Sequence, residues 1–136
     1  MNKIILASHS NLAKGMYDTL KFFDAAIDER VFYICAYEDG LDFEQVLTEK
    51  ISAINEKDIL IFTDIMGGSV NQAAVKLSQI YPVHVVAGMN LPLILSIIFS
   101  GKIIHEDNIE EHISLSKEQI LYMNGYMKSM MEPDKF

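Results

Sequence analysis

Short, wholly apolar runs alternate along the chain with longer stretches in which apolar residues return every three or four positions. Ile4-Ile5-Leu6-Ala7 is continuous, the pattern of a strand buried on both faces. Across residues 11–23, Leu12, Met16, Leu20 and Phe23 recur at helical spacing. Val31-Phe32-Tyr33-Ile34-Cys35 reads as a second strand, and Gly40 marks the turn after it. Asp42 with Gln45 forms a capping-box signature, opening a helix that carries Phe43, Val46, Leu47, Ile51 and Ile54. Ile59-Leu60-Ile61-Phe62-Thr63 is a third strand, followed by Asp64 and the loop at Gly67-Gly68. Ser69 with Gln72 is a second capping-box match, for a helix carrying Ala73, Leu77 and Ile80 that ends before Pro82. Val83-His84-Val85-Val86-Ala87 is a fourth strand, and Asn90-Leu91-Pro92 starts another helix. Residues 107–116 read as helical, and residues 120–123 as either a late strand or a further helical turn.

Strand and helix alternating four times imply βαβ units, whose right-handed crossovers build an open, mainly parallel α/β sheet with helices on both faces. Ligands of such sheets bind beyond the carboxyl ends of the strands. The loops to search are therefore residues 8–11, 37–41, 64–69 and 88–92. In a 2-1-3-4 strand order the first and third strands adjoin, so His9 and Asp64 face each other although they are far apart in sequence. A carboxylate accepting from one imidazole nitrogen fixes the tautomer and leaves the other nitrogen with a free lone pair, as nucleophile or base. Gly67, Gly68 and Ser69 complement that pair. Paired glycines let the backbone present N–H groups, and a helix opening there adds its positive end, so the loop suits a phosphoryl group. Each feature alone has an ordinary explanation, as a loop histidine, a capping aspartate or a common turn. Their joint placement at adjoining strand ends points to phosphoryl transfer through a phosphohistidine. No GxxxxGK[ST] or GxGxxG is present to suggest nucleotide chemistry.

Composition narrows the choice. The 136 residues suit one domain, taken as residues 1–136, with 50% hydrophobic and 22% charged positions. Nineteen acids against eleven bases give a net charge of −8, and Arg30 is the lone arginine. No basic stripe exists, which argues against DNA or RNA as a partner. One cysteine, Cys35, forbids an internal disulfide and reads as a buried apolar group in a cytosolic protein. The apolar run near the amino terminus is too short for a signal peptide, and the stretch 91–99 falls short of the ~20 residues of a membrane span. His84 lies within a strand, and His105 and His112 among acids on what reads as a solvated face. The two-histidine spacings of metal sites are absent, so no metal is expected. Met127, Met130 and Met131 suggest an adaptable apolar surface.

Three blocks, in order, carry a resemblance. They are the opening Ile4 to Ser10 with Ala13-Lys14-Gly15, then Phe62-Thr63-Asp64-Ile65-Met66-Gly67-Gly68-Ser69-Val70-Asn71-Gln72-Ala73-Ala74, then Val86-Ala87-Gly88-Met89-Asn90-Leu91-Pro92. Together they resemble the mannose/fructose/sorbose-type EIIA domain of the bacterial phosphoenolpyruvate-dependent sugar phosphotransferase system. The resemblance implies that His9 accepts a phosphoryl group from the phosphocarrier HPr and passes it to an EIIB partner serving membrane EIIC and EIID subunits. It further implies that Asp64 orients His9, that the loop from Gly67 to Ser69 holds the phosphate, and that no metal or nucleotide cofactor is needed. The protein is then cytoplasmic, brought to the inner membrane face through the transporter complex. Family members form homodimers, in some of which a last strand is swapped between subunits; residues 120–123 would be that fifth strand here. Two departures, Met66 where an aromatic residue is frequent and Ser10 where glycine is frequent, alter the surface an EIIB reads without removing a reacting group. The phosphotransfer subunit of dihydroxyacetone kinase shares the Ser-His-Ser opening and is the main alternative, although Gly67-Gly68-Ser69 with Asn71 favours the sugar branch. Two rivals of other kinds are a Ser-His-Asp hydrolase using Ser69, and a flavodoxin-shaped binding module in which His9 is structural.

Overall fold

A computed structural model describes residues 1–131. Four strands, β1 (Ile4–His9), β2 (Val31–Ala36), β3 (Ile59–Thr63) and β4 (Val83–Val86), form one parallel sheet in the order β2-β1-β3-β4. Between and after them lie helices α1 (Leu12–Phe23), α2 (Phe43–Ile54), α3 (Ser69–Ser78), α4 (Leu91–Phe99), α5 (Ile109–Lys117) and α6 (Met123–Met130), with a 3-10 turn at Ile27–Glu29. The anticipated α/β architecture and strand order are both present.

The continuous apolar runs are explained by burial on two sides. Along β1, Ile4 and Leu6 point into one core with Leu60 and Phe62 of β3, beneath Ala13 and Leu20 of α1 and Leu93, Ile94 and Ile97 of α4. Ile5 and Ala7 point the other way, joining Ile59 and Ile61 under Phe43, Leu47 and Ile51 of α2 and Val70, Ala74 and Leu77 of α3. Because side chains alternate faces, a strand flanked by helices on both faces must be apolar at every position. Each large side chain fully buried this way contributes about 1.5–3 kcal/mol relative to exposure. The register pairs Ala7 with Ile34 on one side and Thr63 on the other, so β1 runs two residues past the end of β3 and carries His9 to the sheet's carboxyl rim beside the residues that follow Thr63.

Several boundaries differ from the pattern-based reading. Asp42 and Ser69 were both expected to cap helices with their side chains, and neither does. Asp42 holds the cap position without a side-chain bond, whereas Ser69 is already the first helical residue and Gly68 is the cap. At α4 the expectation is met: Asn90 Oδ1 accepts the Leu93 N–H at 3.0 Å, with Pro92 in the first turn. The segment 120–123 is neither a strand nor a turn of the preceding helix. Residues 120–122 form no regular secondary structure, are exposed, pair with no strand among the described residues, and lead into α6 at Met123. Among the described residues the sheet of one chain has four strands; a fifth strand exchanged between subunits would pair outside that chain. Bonds from Gln119 and Ile120 N–H to the carbonyls of Ser116 and Lys117 turn the chain at the end of α5, before α6 begins. His112 also departs from expectation: it is half-buried, with Nδ1 3.0 Å from Ser96 Oγ of α4, because α5 packs on α4. His84, on edge strand β4, meets Asp58 at 2.8 Å. Residues 132–136 of the expected 1–136 span lie outside the described residues.

Candidate active site

His9 is the last residue of β1, and a cross-braced turn aims it. Ser8 is fully buried; its Oγ accepts the Ala13 N–H of α1 at 2.7 Å and donates to the Ser10 carbonyl at 3.2 Å. Ser10 turns left-handed at φ 51°, its N–H bonds Ala36 O at 3.1 Å, and its hydroxyl donates to Glu38. The position where glycine is frequent in the resembling family therefore keeps a glycine-like backbone. The strand order 2-1-3-4 places the rim between β1 and β3 at the point where the chain changes direction across the sheet, the place such folds use for ligands.

Asp64 follows β3 directly and meets His9 there. Its Oδ2 accepts both the His9 backbone N–H at 2.7 Å and Nδ1–H at 2.8 Å, and its Oδ1 accepts the Ile65 N–H at 2.9 Å. Burial alone would raise the carboxyl's pKa, but the bonds from His9 and Ile65 outweigh it and hold Asp64 below the usual carboxylate range. An ionised acceptor requires the proton on Nδ1, so in the neutral ring it is Nε2 that carries the lone pair. The aspartate side chain is only 10% exposed and the histidine 40%, which leaves the ring open to a partner while its anchor is shielded.

The glycine loop closes one wall. Gly67 has φ 79°, a conformation that disfavours any side chain. Gly68 is needed for space: a Cβ there would lie 2.9 Å from Ile65 Cγ2 and 3.2 Å from His9 Cε1. Asn71, buried in α3, pins the loop by accepting the Gly67 N–H at 3.1 Å and donating to Thr63 Oγ1 at 2.9 Å. Gln72 donates to Gly67 O at 2.6 Å, and the Gly68 N–H is taken by Ile65 O at 3.2 Å. Both glycine amides are thus engaged internally, contrary to the expectation that they would face an anion. The open donors lie one step on, at the start of α3, where the N–H groups of Ser69 and Val70 meet no acceptor among the described residues. A helix start favours negative charge, so these two N–H groups, and not those of the glycines, are the backbone donors open at this rim.

The Ser69 hydroxyl, freed from capping, stands 3.3 Å from His9 Nε2 and 2.5 Å from the Tyr37 hydroxyl. Tyr37 follows β2 with φ 69°, and its ring centroid lies 5.5 Å from that of His9. Sequence reasoning selected the loop at 37–41 but gave Tyr37 no role. An aromatic residue placed after a strand end, outside any apolar periodicity, was the available signal. Five residues therefore converge on one rim: His9, Asp64, Gly68, Ser69 and Tyr37. His84, His105 and His112 lie away from it, and no group of three or more His, Cys, Asp or Glu capable of holding a metal occurs among the described residues.

Comparison with known proteins places this geometry. Residues 3–114 match the EIIA-man family, described as PTS system fructose IIA component. The sorbose-specific EIIA component of the phosphotransferase system from Klebsiella pneumoniae is 24% identical over 116 residues, covering 85% of this chain and 86% of its own. The structure of phosphotransferase system component EIIA from Streptococcus agalactiae superposes with a TM-score of 0.78 at 26% identity, over 92% of this chain and 99% of its own. The mannose/sorbose-specific IIA subunit from Enterococcus faecalis, at 20% identity and a TM-score of 0.77, shares the fold over 88% of this chain and 92% of its own.

Proposed function

The chain belongs to the EIIA-man family, the PTS fructose IIA components, and from that premise we propose that it is a phosphocarrier whose Nε2 of His9 takes a phosphoryl group from phospho-HPr and yields it to an EIIB partner. The family makes it a component of sugar phosphotransfer that works with phosphocarrier and EIIB-type proteins. The observation that carries the finer reading is the single oriented imidazole: Nδ1 anchored to a largely shielded carboxylate and Nε2 open beside a helix start.

The lone pair of Nε2 attacks phosphorus in line. The bond from phosphorus to the donor's imidazole nitrogen breaks and returns its pair to the donor ring, while Nε2–P forms. His9 becomes positively charged with Nδ1–H retained, and Asp64 lies against that charge. The Ser69 hydroxyl and the first amides of α3 face the phosphoryl oxygens, and Gly67 and Gly68 shape the wall. Positioning and electrostatic stabilisation can suffice, because phosphoryl transfer asks little covalent chemistry of the protein. Transfer to EIIB reverses these steps. The chain acts as one domain over residues 1–136, in the cytoplasm, as a homodimer, reaching EIIC and EIID only through EIIB.

A hydrolase reading has one specific observation in its favour, the Ser69–His9–Asp64 alignment. Ser69, however, sits on a regular helix start without the GxSxG elbow that exposes a serine nucleophile. The test is labelling with phosphoenolpyruvate, enzyme I and HPr. Wild type should take up label and His9→Ala none; undiminished labelling of His9→Ala, or ester hydrolysis lost in Ser69→Ala, would end the proposal. Pull-down of an EIIB, and not of a dihydroxyacetone kinase subunit, separates the two phosphotransfer pathways.

A further inference from the structure

Tyr37 is poorly explained as a structural residue. It is 58% exposed, so its ring supplies little to either core. Its backbone sits in the left-handed region at φ 69°, which is unfavourable for a bulky side chain and is commonly found where a site demands it. What that backbone achieves is to swing the ring beside His9, with the centroids 5.5 Å apart and the planes tilted by 44°. The phenol then reaches Ser69 Oγ at 2.5 Å. The resulting hydrogen bonds run in one direction. With Nδ1–H donating to Asp64, the Nε2 lone pair accepts from Ser69 O–H, and the Ser69 oxygen is then left to accept from Tyr37 O–H across contacts of 2.8, 3.3 and 2.5 Å.

A serine at the first position of a helix has several rotamers open to it, including ones directed away from the histidine. The phenol removes that freedom, because an oxygen that accepts from Tyr37 turns its own proton toward Nε2. We propose that Tyr37 is a positioning residue for the phosphorylated state, holding Ser69 so that its proton passes from Nε2 to a phosphoryl oxygen when the group arrives. The inference rests on the reading of His9 as phosphoacceptor. In the transfer, the donor's N–P bond breaks as Nε2–P forms, and the lone pair that had accepted from Ser69 becomes the bonding pair. Ser69 must then find a new acceptor, and the nearest is the phosphoryl group. Tyr37, still donating to Ser69 Oγ, polarises that hydroxyl and strengthens its bond to an anion. The effect is thermodynamic: it lowers the free energy of the phosphohistidine itself.

The experiment measures the equilibrium constant for phosphoryl exchange between phospho-HPr and this protein, approached from both directions, for wild type, Tyr37→Phe, Ser69→Ala and the double variant. At equilibrium the docking affinity cancels, so a purely structural or docking role leaves the constant unmoved. Tyr37→Phe should shift it about fivefold to tenfold against this protein, the size of one ordinary hydrogen bond. In the Ser69→Ala background the same change should move it less than twofold, because Tyr37 acts through Ser69. A constant for Tyr37→Phe within twofold of wild type, with wild type phosphorylated normally, overturns the role of Tyr37 and leaves His9 as phosphoacceptor. An equal shift in both backgrounds overturns the route through Ser69. Failure of wild type itself to accept phosphate removes the underlying reading and the inference with it.

Discussion

Asp64→Asn is the perturbation that probes the site most sharply, because the replacement keeps size and removes charge. Asp64 accepts three bonds with two oxygens: His9 N–H at 2.7 Å and Nδ1–H at 2.8 Å on Oδ2, and Ile65 N–H at 2.9 Å on Oδ1. An amide has one acceptor end and one donor end, so it cannot satisfy all three. With its oxygen toward His9, its NH2 confronts the Ile65 N–H, donor against donor. With its oxygen toward Ile65, its NH2 confronts His9, forces Nδ1 to accept, and moves the ring proton to Nε2, where it blocks attack. Either arrangement forfeits at least one charge-assisted bond, worth about 1.5–3 kcal/mol. The positive ring formed during transfer also loses its counter-charge. Expressed as a barrier, that is roughly a 10- to 100-fold slower transfer. Single-turnover rapid-quench measurement with radiolabelled phospho-HPr gives the rate, and urea unfolding at pH 7 gives a stability loss of about 1–3 kcal/mol. The difference in stability should depend on pH in one direction only. Native Asp64 binds its proton less tightly than the ordinary value of 3.8. The stability it adds is therefore fully present above about pH 5 and fades as pH falls through 3.8 toward the lower native value. A folded Asp64→Asn protein transferring within twofold of wild type would refute the reasoning.

Three further outcomes follow from packing. Gly68→Ala places a Cβ 2.9 Å from Ile65 Cγ2 and 3.2 Å from His9 Cε1; Ile65 is exposed and can move, but His9 is held, so transfer should slow about tenfold while stability falls by less than about 1 kcal/mol. Asn71→Ala strands the buried Thr63 Oγ1 and takes the acceptor from the Gly67 N–H of the exposed loop, and should lower urea stability by about 1–3 kcal/mol while loosening the loop. Asn90→Ala removes the cap of α4 and should cost about 0.5–2 kcal/mol with no change in transfer rate, since Asn90 makes no bond to the His9 group. A slower transfer in that variant would contradict the boundary drawn around the site.

The parts of the fold legible in the sequence are those fixed by two-sided burial. Ile4 to Ala7 and Ile59 to Thr63 read as strands buried on both faces, and a 2-1-3-4 order, if adopted, sets His9 against Asp64; the sheet has that order. Legibility failed where a side chain had competing partners of similar energy. Ser69 satisfied the capping-box pattern, but its hydroxyl finds Tyr37 and His9 across the rim, contacts between strand ends that local spacing does not encode. Gly67 and Gly68 were rightly placed in the loop, yet which amides stay open depended on Asn71, whose side chain folds back from α3. The tail was ambiguous for a related reason. Ile120, Leu121 and Tyr122 have strand-forming side chains, but a strand needs an edge to pair with, and sequence alone does not say which edge, if any, is within reach.

The most direct test is to locate the phosphoryl group. Protein labelled with 15N-histidine, phosphorylated through HPr and observed by 31P–15N correlation, should show one-bond coupling to Nε2 of His9 and to no other nitrogen. The modification should be acid-labile and alkali-stable. Coupling to Nδ1, or an acid-stable phosphate on Ser69, would contradict the account.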